Sequence, residues 1–234
     1  MIRSVGVIVP ARDEEDLLPS CVARLRRAAW ALPGLPVHLV VVADACRDRT
    51  ARVALQSGAA VAVIGAGNVG TARAAGIREV LRRTGPLDPA DVWLATTDAD
   101  THVPVSWLRQ QVRYANQGWD AVAGTVQVTD WSARRPDVPS LFRQRYEAGP
   151  GPHPHVHGAN LGFRASAYLA AGGFAEEPNA EDHALVAALT ATGSRILRTD
   201  AVRVVTSARR STRTPHGFSH YLTELEGEAD AASA

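Results

Sequence analysis

The first 128 residues alternate short apolar, β-prone runs with longer segments whose apolar positions have helical spacing. This alternation predicts β–α units, in which parallel strands form a sheet and the connecting helices cover its faces. The first run is almost continuously apolar, as in a strand buried on both sides, and we expect Pro10 to end it. The acidic residues at 13–15 are expected in the first turn of the following helix, where the helix dipole favours negative charge. We predict strands at 5–9, 37–42, 60–64, 92–95 and 120–128, and helices at 13–29, 48–55, 71–83 and 105–115.

The second half of the chain is different in character. Residues 130–158 are rich in Pro, Arg, Gly and His, and long structureless segments are uncommon in compact domains unless they have a role. We therefore expect a mobile functional loop there, with one helix near 141–148. A length of 234 residues suits one domain. Further regular structure is predicted at 160–163, 181–191 and 195–197, with a tail helix at 216–225 and frayed residues at 226–234.

Composition excludes several classes of protein. The 25 basic and 24 acidic residues are spread along the chain, so no surface for nucleic acid is expected. All the basic residues are Arg, which excludes Schiff-base and P-loop lysine chemistry and leaves Arg as the permanently charged donor to anions. There are two cysteines without metal-site spacing, no signal-peptide layout and no apolar run near the ~18 residues that cross a bilayer. These features predict a cytoplasmic protein, although peripheral membrane contact stays open.

Two acidic residues one position apart follow the fourth predicted strand. Asp98 and Asp100 would then lie at the carboxyl edge of a sheet, where Mg²⁺ or Mn²⁺ takes carboxylate oxygens and keeps positions open for phosphate. A solvated turn in which an Asp caps the next helix explains the same residues. The choice between a metal site and a turn depends on the rest of the chain.

A glycine-rich string, Gly65 to Gly70, follows a predicted strand and opens a helix. By its letters alone it is the dinucleotide fingerprint of an NAD(P)-dependent oxidoreductase. Two β–α units precede it, however, whereas the fingerprint belongs to the first. The acidic ribose ligand expected about 20 residues further on is also missing, since Asp98 lies 28 residues beyond Gly70. An oxidoreductase remains the alternative function.

Six motifs, taken in order, resemble those of family 2 glycosyltransferases over nearly the whole chain. They are VIVPARDEE at 7–15, VVVAD at 40–44, GNVGTARAAG at 67–76, DAD at 98–100, GANLGFR at 158–164 with GGF at 172–174, and ED at 181–182. The third departs from the family pattern, because Ala74 stands where Asn is common. The resemblance implies an α/β GT-A fold, which is a Rossmann-like three-layer α/β/α arrangement around a mixed, mostly parallel sheet. It also implies a hexosyltransferase type of enzyme that moves a sugar from a nucleoside-diphosphate donor to a hydroxyl acceptor.

The resemblance further implies roles for single residues on the donor side. Residues 1–128 would form the nucleotide-sugar-binding half. Asp44 would meet the base, Asp98 the ribose and Arg73 the diphosphate. The expected donor-binding set is Pro10, Ala11, Arg12, Glu14, Asp44, Arg73, Asp98 and Ala99.

Metal binding and catalysis are assigned in the same way. Asp100 would hold a divalent Mn²⁺ or Mg²⁺, and His216 is a candidate third ligand. Residues 129–234 would form the acceptor-binding half, in which Glu181 and Asp182 are catalytic and Asp182 is the general base of an inverting transfer. A catalytically silent partner protein that binds nucleotide sugars is a further alternative. The sequence leaves open the base, the sugar, the acceptor and the oligomeric state.

Two further sets of residues, three histidines and three arginines, each have two interpretations. His153, His155 and His157 alternate, so an extended segment would place them on one face, where they could bind a metal; the interleaved prolines favour an acceptor loop instead. The basic cluster of Arg209, Arg210 and Arg213 is either a solvated face or a group that closes over the donor diphosphate, which suits the guanidinium fork.

Overall fold

In a computed structural model of the chain, the structure describes residues 1–146, 152–175, 180–210 and 217–233, the last six of them by backbone alone. Within these residues a single seven-stranded sheet is formed. Its strands are β1 (Ser4–Ala11), β2 (Val37–Asp44), β3 (Ala60–Ile64), β4 (Val92–Thr96), β5 (Ala121–Gln127), β6 (Leu161–Arg164) and β7 (Ile196–Val205).

The order of strands across the sheet is β3-β2-β1-β4-β6-β5-β7. The first four run parallel to one another. β6 is antiparallel to both of its neighbours, while β7 runs parallel to β5. The sheet is therefore mixed and mostly parallel, as predicted. The carboxyl ends of β1, β2 and β4 meet at one edge, so residues that follow these strands are brought together.

Helices cover both faces of the sheet, which completes the predicted three layers. One core lies between the sheet and α1, α4, α5 and α8, and the other lies under α3, α6 and α7. Gly76 lets α3 approach closely, because a Cβ atom there would lie 2.5 Å from the side chain of Ile8. The helices are α1 (Leu18–Trp30), α2 (Thr50–Gln56), α3 (Val69–Thr84), α4 (Trp107–Asn116), α5 (Val138–Tyr146), α6 (Ala165–Ala170), α7 (Glu181–Ala191) and α8 (Phe218–Ser233).

The start of the chain corrects two expectations. Pro10 does not end β1, because it pairs with Val42 and the strand continues to Ala11. The acidic residues at 13–15 lie before α1, which begins only at Leu18 and has no acid in its first turn. They are held instead by the turn before α2: the backbone N–H of Glu14 donates to Thr50 Oγ1 at 2.8 Å. This contact, between residues far apart in sequence, keeps Glu14 at the sheet edge.

Several bounds in the second half also differ from those expected. α5 begins before 141, α6 had no predicted counterpart, and β7 continues well beyond 197. α8 extends to Ser233, so the backbone expected to fray is helical as far as that residue. Residues 147–151, in the expected loop, and 211–216 lie outside the described part. None of the helices in the described residues has the length and apolar character needed to cross a membrane.

Candidate active site

A cavity of about 570 Å³ opens at the carboxyl edge of the parallel strands. Residues from both halves of the chain line it, so the two halves meet there. His216, the candidate third metal ligand, lies outside the described residues, as does Arg213. The other predicted site residues all line the cavity: Pro10, Ala11, Arg12, Glu14, Asp44, Arg73, Asp98, Ala99, Asp100, Glu181 and Asp182.

Arg73 projects from α3 and is buried between two carboxylates. Its Nη2 lies 2.7 Å from Asp98 Oδ1, and its Nη1 pairs with Glu181. Burial lowers the pKa of Arg73, but the two carboxylates outweigh burial and the pKa is raised above its usual value. The guanidinium therefore stays charged. It lies flat against Gly158, where a Cβ atom would come within 2.4 Å of Cζ.

Asp44 ends β2 and organises the glycine-rich loop. Its Oδ1 accepts the backbone N–H of Gly67 and its Oδ2 that of Asn68, both at 2.8 Å. Asn68 in turn caps α3 by accepting the N–H of Thr71. In a dinucleotide fingerprint the loop N–H groups face a pyrophosphate, whereas two of them here are taken by a carboxylate. Each Asp44 oxygen has a second lone pair that can accept a further hydrogen bond, and Asp44 lines the cavity. The contact between Asp44 and a nucleotide base stays a prediction.

Arg209 bridges Glu14 and Asp100. Its Nη1 lies 2.9 Å from Glu14 Oε2, its Nη2 pairs with the other oxygen of Glu14, and its Nε lies 2.9 Å from Asp100 Oδ2. Burial raises the pKa of Asp100 to about 6, although Arg209 opposes the rise. The sequence left two interpretations for the basic cluster at 209–213, a solvated face or a group that closes over the donor diphosphate. No sequence signal linked Arg209 to a residue 195 positions earlier.

The carboxylates at this edge fit a divalent cation. Asp98 and Asp100 both line the cavity and offer oxygens, the atoms that Mg²⁺ and Mn²⁺ prefer. Arg73 and Arg209 each take one oxygen of these side chains, and every carboxylate has two. The acidic lining residues outnumber the lining arginines, so the local charge favours a cation. The acids are Glu14, Asp44, Asp98, Asp100, Glu181, Asp182 and Glu224, and the arginines are Arg12, Arg73 and Arg209.

A second cluster of possible metal ligands lies outside the cavity. Asp13, Cys46 and Asp48 are the one set of three His, Cys, Asp or Glu side chains in the described residues whose ligand atoms lie within 4.8 Å of one another. Backbone groups already engage them, since Asp13 accepts the N–H of Arg47 and Asp48 that of Thr50. These bonds explain the cluster as part of the turn before α2.

The acidic neighbours Glu181 and Asp182 have different surroundings at the start of α7. Glu181 is buried against Arg73, and burial raises its pKa while Arg73 opposes the rise. Asp182 lines the cavity, where its Oδ2 accepts the N–H of Gly158 at 2.7 Å and its Oδ1 that of His183 at 2.8 Å. Asp182 is thus held in a fixed orientation, which a general base requires, whereas Glu181 positions Arg73.

The alternating histidines belong to a stack of rings beside Asp182. The rings of Tyr146 and His155 stack with centroids 3.8 Å apart, and Phe142 covers the Tyr146 ring at 4.6 Å. Among the described residues, His153, His155 and His157 do not form a metal-binding group. They share one extended segment, as predicted, and His155 and His157 line the cavity.

A hydrogen bond joins the imidazole of His157 to Tyr146. Tyr146 Oη accepts the N–H of Val126 at 3.0 Å and lies 2.8 Å from His157 Nε2. The Tyr146 hydroxyl is thus hydrogen-bonded both to the backbone of β5 and to the imidazole of His157. Burial lowers the pKa of His157 to about 3, so this residue is neutral near pH 7. No sequence signal indicated this partnership with Tyr146.

A mixed sheet in this strand order, with an acidic cavity at the carboxyl ends of its parallel strands, defines the GT-A class of proteins. The sequence profile of glycosyl transferase family 2 matches residues 6–170. The chain belongs to this family, which confirms the resemblance and the predicted fold class.

Solved structures support the same fold at low sequence identity. S. aureus TarS 1–349 in complex with UDP-GlcNAc superposes with a TM-score of 0.66 at 14% identity, over 95% of this chain and 64% of that one. Mannosyltransferase PcManGT from Pyrobaculum calidifontis, in complex with GDP-Man and Mn²⁺, gives 0.63 at 20% identity, over 98% and 64%. Glucosyl-3-phosphoglycerate synthase from Mycobacterium tuberculosis, in complex with Mn²⁺, UDP and phosphoglyceric acid, gives 0.59 at 17% identity, over 88% and 72%.

The present chain spans less than two thirds of the TarS and PcManGT chains. No curated protein matches it in sequence. These structural likenesses establish the fold, and the chemistry must be argued from the cavity itself.

Proposed function

We propose that this protein transfers a sugar from a nucleoside-diphosphate donor to a hydroxyl group of an acceptor. The observation that carries the proposal is the lining of one cavity by Arg73, Asp98, Asp100 and Asp182. Arg73 supplies a buried cation, and Asp98 with Asp100 supplies a carboxylate pair suited to a metal. Asp182 supplies an oriented carboxylate in the same cavity. Sugar transfer needs these three elements, because charge develops on the leaving diphosphate while the acceptor loses a proton.

The donor is expected to lie along the ends of β1, β2 and β4. Backbone and side chains of Pro10, Ala11 and Arg12, with Asp44, would surround the base, and Asp98 the ribose. The structural neighbours support a donor of this kind, because they were solved with UDP-GlcNAc, GDP-Man or UDP. Their identities to this chain are too low to choose between uridine and guanosine.

A divalent metal is proposed to depend on Asp100, with Asp98 beside it. When bound, Mn²⁺ or Mg²⁺ supplies positive charge that stabilises the departing diphosphate. Two of the neighbours contain Mn²⁺, which supports a divalent ion without distinguishing the two metals. Arg73 adds a fixed positive charge at the same end of the cavity and needs no reorganisation during the reaction.

Asp182 is proposed as the general base. The acceptor oxygen attacks the anomeric carbon, the bond from that carbon to the diphosphate oxygen breaks, and its electron pair leaves with the nucleoside diphosphate. The acceptor proton passes to Asp182. Because the acceptor attacks in a single step from the face opposite the diphosphate, the anomeric configuration is inverted. Glu181 is proposed to contribute to catalysis by holding Arg73.

We further propose that residues 1–128 and 129–234 are the donor and acceptor halves of one domain. Both contribute to the cavity lining, which supports this division. A cytoplasmic location is proposed as well, since Cys21 and Cys46 are both free thiols and disulfides mark oxidising compartments.

A thermal-shift panel tests the donor class directly. The purified protein is heated with UDP-, GDP- and dTDP-sugars and with NAD(P), each with and without Mn²⁺. A ligand that binds the folded state raises Tm by mass action. We expect one nucleotide sugar to stabilise the protein, and more strongly with Mn²⁺. Stabilisation by NAD(P) alone would favour the oxidoreductase.

Turnover separates an enzyme from a silent binding partner. The nucleotide sugar that stabilises the protein most is incubated with it, and release of the nucleoside diphosphate is followed with and without candidate acceptors. Binding without donor hydrolysis or transfer under any of these conditions would support the silent partner.

A further inference from the structure

We propose that Arg209 is an internal counter-cation that competes with the metal for Asp100. In the structure, Arg209 pairs with Glu14 and Asp100. When donor and metal bind, its guanidinium gives up Asp100 and contacts the diphosphate instead. This inference rests on the proposed function, because it assumes that a metal and a nucleoside diphosphate share the cavity.

The contacts of Arg209 are unequal. Glu14 receives two guanidinium nitrogens, Nη1 and Nη2, whereas Asp100 receives only Nε. Glu14 is 6% exposed and the Arg209 side chain 33%, so the anchoring end of the bridge is buried and the guanidinium borders open space. The single contact between Arg209 and Asp100 is therefore the one that gives way to the metal, while Arg209 stays paired with Glu14.

The backbone of Arg209 is anchored independently of its side chain. Buried Arg134 donates through Nε to the carbonyl oxygen of Ala208 at 2.7 Å and through Nη2 to that of Arg209 at 3.2 Å. The same guanidinium holds the carbonyl oxygen of Ser219 in α8 at 3.0 Å. Arg209 can therefore move between partners by changing side-chain rotamers, with its main chain in place.

Arg209 and a metal ion compete for Asp100 because both are positively charged. A cation at Asp100 lies close to a guanidinium 2.9 Å from the same carboxylate, and the two positive charges repel each other. A nucleoside diphosphate relieves this repulsion, because its oxygens accept a guanidinium in bidentate geometry. Metal and nucleotide should therefore strengthen each other's binding, and the strengthening must be reciprocal.

Mn²⁺ titrations followed by electron paramagnetic resonance test this coupling. We compare the wild type with Arg209→Met, first without nucleotide and then with saturating UDP or GDP. Removal of the competing charge should tighten nucleotide-free Mn²⁺ binding about tenfold, a size common for linked sites. The enhancement by nucleotide should shrink by a similar factor. Calorimetric titration of UDP or GDP with and without Mn²⁺ measures the reciprocal effect.

Arg210→Met is the matched control. It removes the same charge one residue away, but Arg210 is exposed and pairs with Glu226 of α8. Its Mn²⁺ affinity should equal that of the wild type. Since Arg209→Met removes a cation from beside buried Glu14, the double variant Arg209→Met/Glu14→Gln is measured as well. Circular dichroism verifies that each variant is folded.

The possible outcomes separate this inference from the proposed function. Equal or weaker nucleotide-free Mn²⁺ binding in the folded Arg209 variants would overturn the role of Arg209, even if the wild type binds UDP or GDP with Mn²⁺. If the wild type binds neither nucleotide in any condition, the proposed function fails, while the nucleotide-free Mn²⁺ affinities still decide whether Arg209 competes for Asp100.

Discussion

Arg73 and Glu181 form a buried ion pair between α3 and the first turn of α7, with side chains 3% and 6% exposed. The pair therefore anchors the helix that carries Asp182. Arg73 also contacts Asp98, so three charged side chains fix the relative positions of two helices and the end of β4. Glu181 and Asp182 both line the cavity, but Glu181 pairs with Arg73 whereas Asp182 accepts backbone N–H groups.

The first prediction concerns this ion pair. Glu181→Gln removes one carboxylate from a buried guanidinium, and loss of one partner of a buried pair costs about 3–5 kcal/mol. Because Arg73 keeps Asp98, we expect the lower end, a decrease of about 3 kcal/mol in the free energy of unfolding. Urea denaturation at pH 7.5 measures it. Glu224→Gln, which breaks the exposed contact with His220, should change the free energy of unfolding by less than about 0.5 kcal/mol. An equal effect of the two variants would contradict a stabilising role of the Arg73–Glu181 pair.

The second prediction concerns the neighbouring acid. In Asp182→Asn the amide oxygen can still accept the N–H of Gly158, so stability should stay near that of the wild type. Loss of the base should lower kcat about 10²–10⁴-fold while the donor affinity is kept. Nuclear magnetic resonance of the wild-type product should show inversion at the anomeric carbon. A retained configuration would remove Asp182 from the role of base.

Much of the fold follows from local sequence pattern. Strand β3 and helix α7 have the predicted bounds, and the other helices and strands of the first half differ from prediction only by a few residues at their ends, apart from α1. That helix was predicted to begin at residue 13, because acidic residues favour a first turn. The tertiary contact between Glu14 and Thr50 holds these residues outside the helix, and no local pattern encodes it.

The candidate site was predictable where motifs identify it. The described members of the predicted set line one cavity, because the carboxyl ends of β1, β2 and β4 meet there. The pairing of side chains was not predictable. Arg209 with Glu14, Glu181 with Arg73 and Tyr146 with His157 join segments whose proximity depends on the complete sheet, and a single sequence does not show which charged or polar groups face each other.

The third prediction concerns the metal. Asp100→Asn keeps the size of the side chain but removes the charge that holds a divalent ion, so chelator-sensitive transfer should fall to the level of the wild type in excess chelator. Folding should be preserved, because Arg209 keeps Glu14 as a partner. Transfer assays with a Mn²⁺ titration, together with thermal unfolding, measure both properties. Asp130→Asn, on an exposed turn, is the control; full activity of Asp100→Asn in chelator would exclude the metal role.

The last prediction concerns pH. The pKa of His157 is about 3 in the folded protein, below the ordinary value near 6.5 of an unfolded chain. Between these values the unfolded chain binds a proton that the folded protein does not. The free energy of unfolding should therefore decrease as pH falls below 6.5, by up to about 1.4 kcal/mol per pH unit from this residue.

Variants isolate the contribution of His157 from those of other titrating groups. Urea denaturation of the wild type, His157→Gln and His220→Gln is compared at pH 7.5, 6.0 and 5.0. His157→Gln keeps an acceptor for the Tyr146 hydroxyl but cannot titrate, so its stability should decline less steeply below pH 6.5 than that of the wild type. His220 is 42% exposed, and its variant should follow the wild type. If the curves of wild type and His157→Gln are parallel, burial does not lower the pKa of His157 in the folded protein.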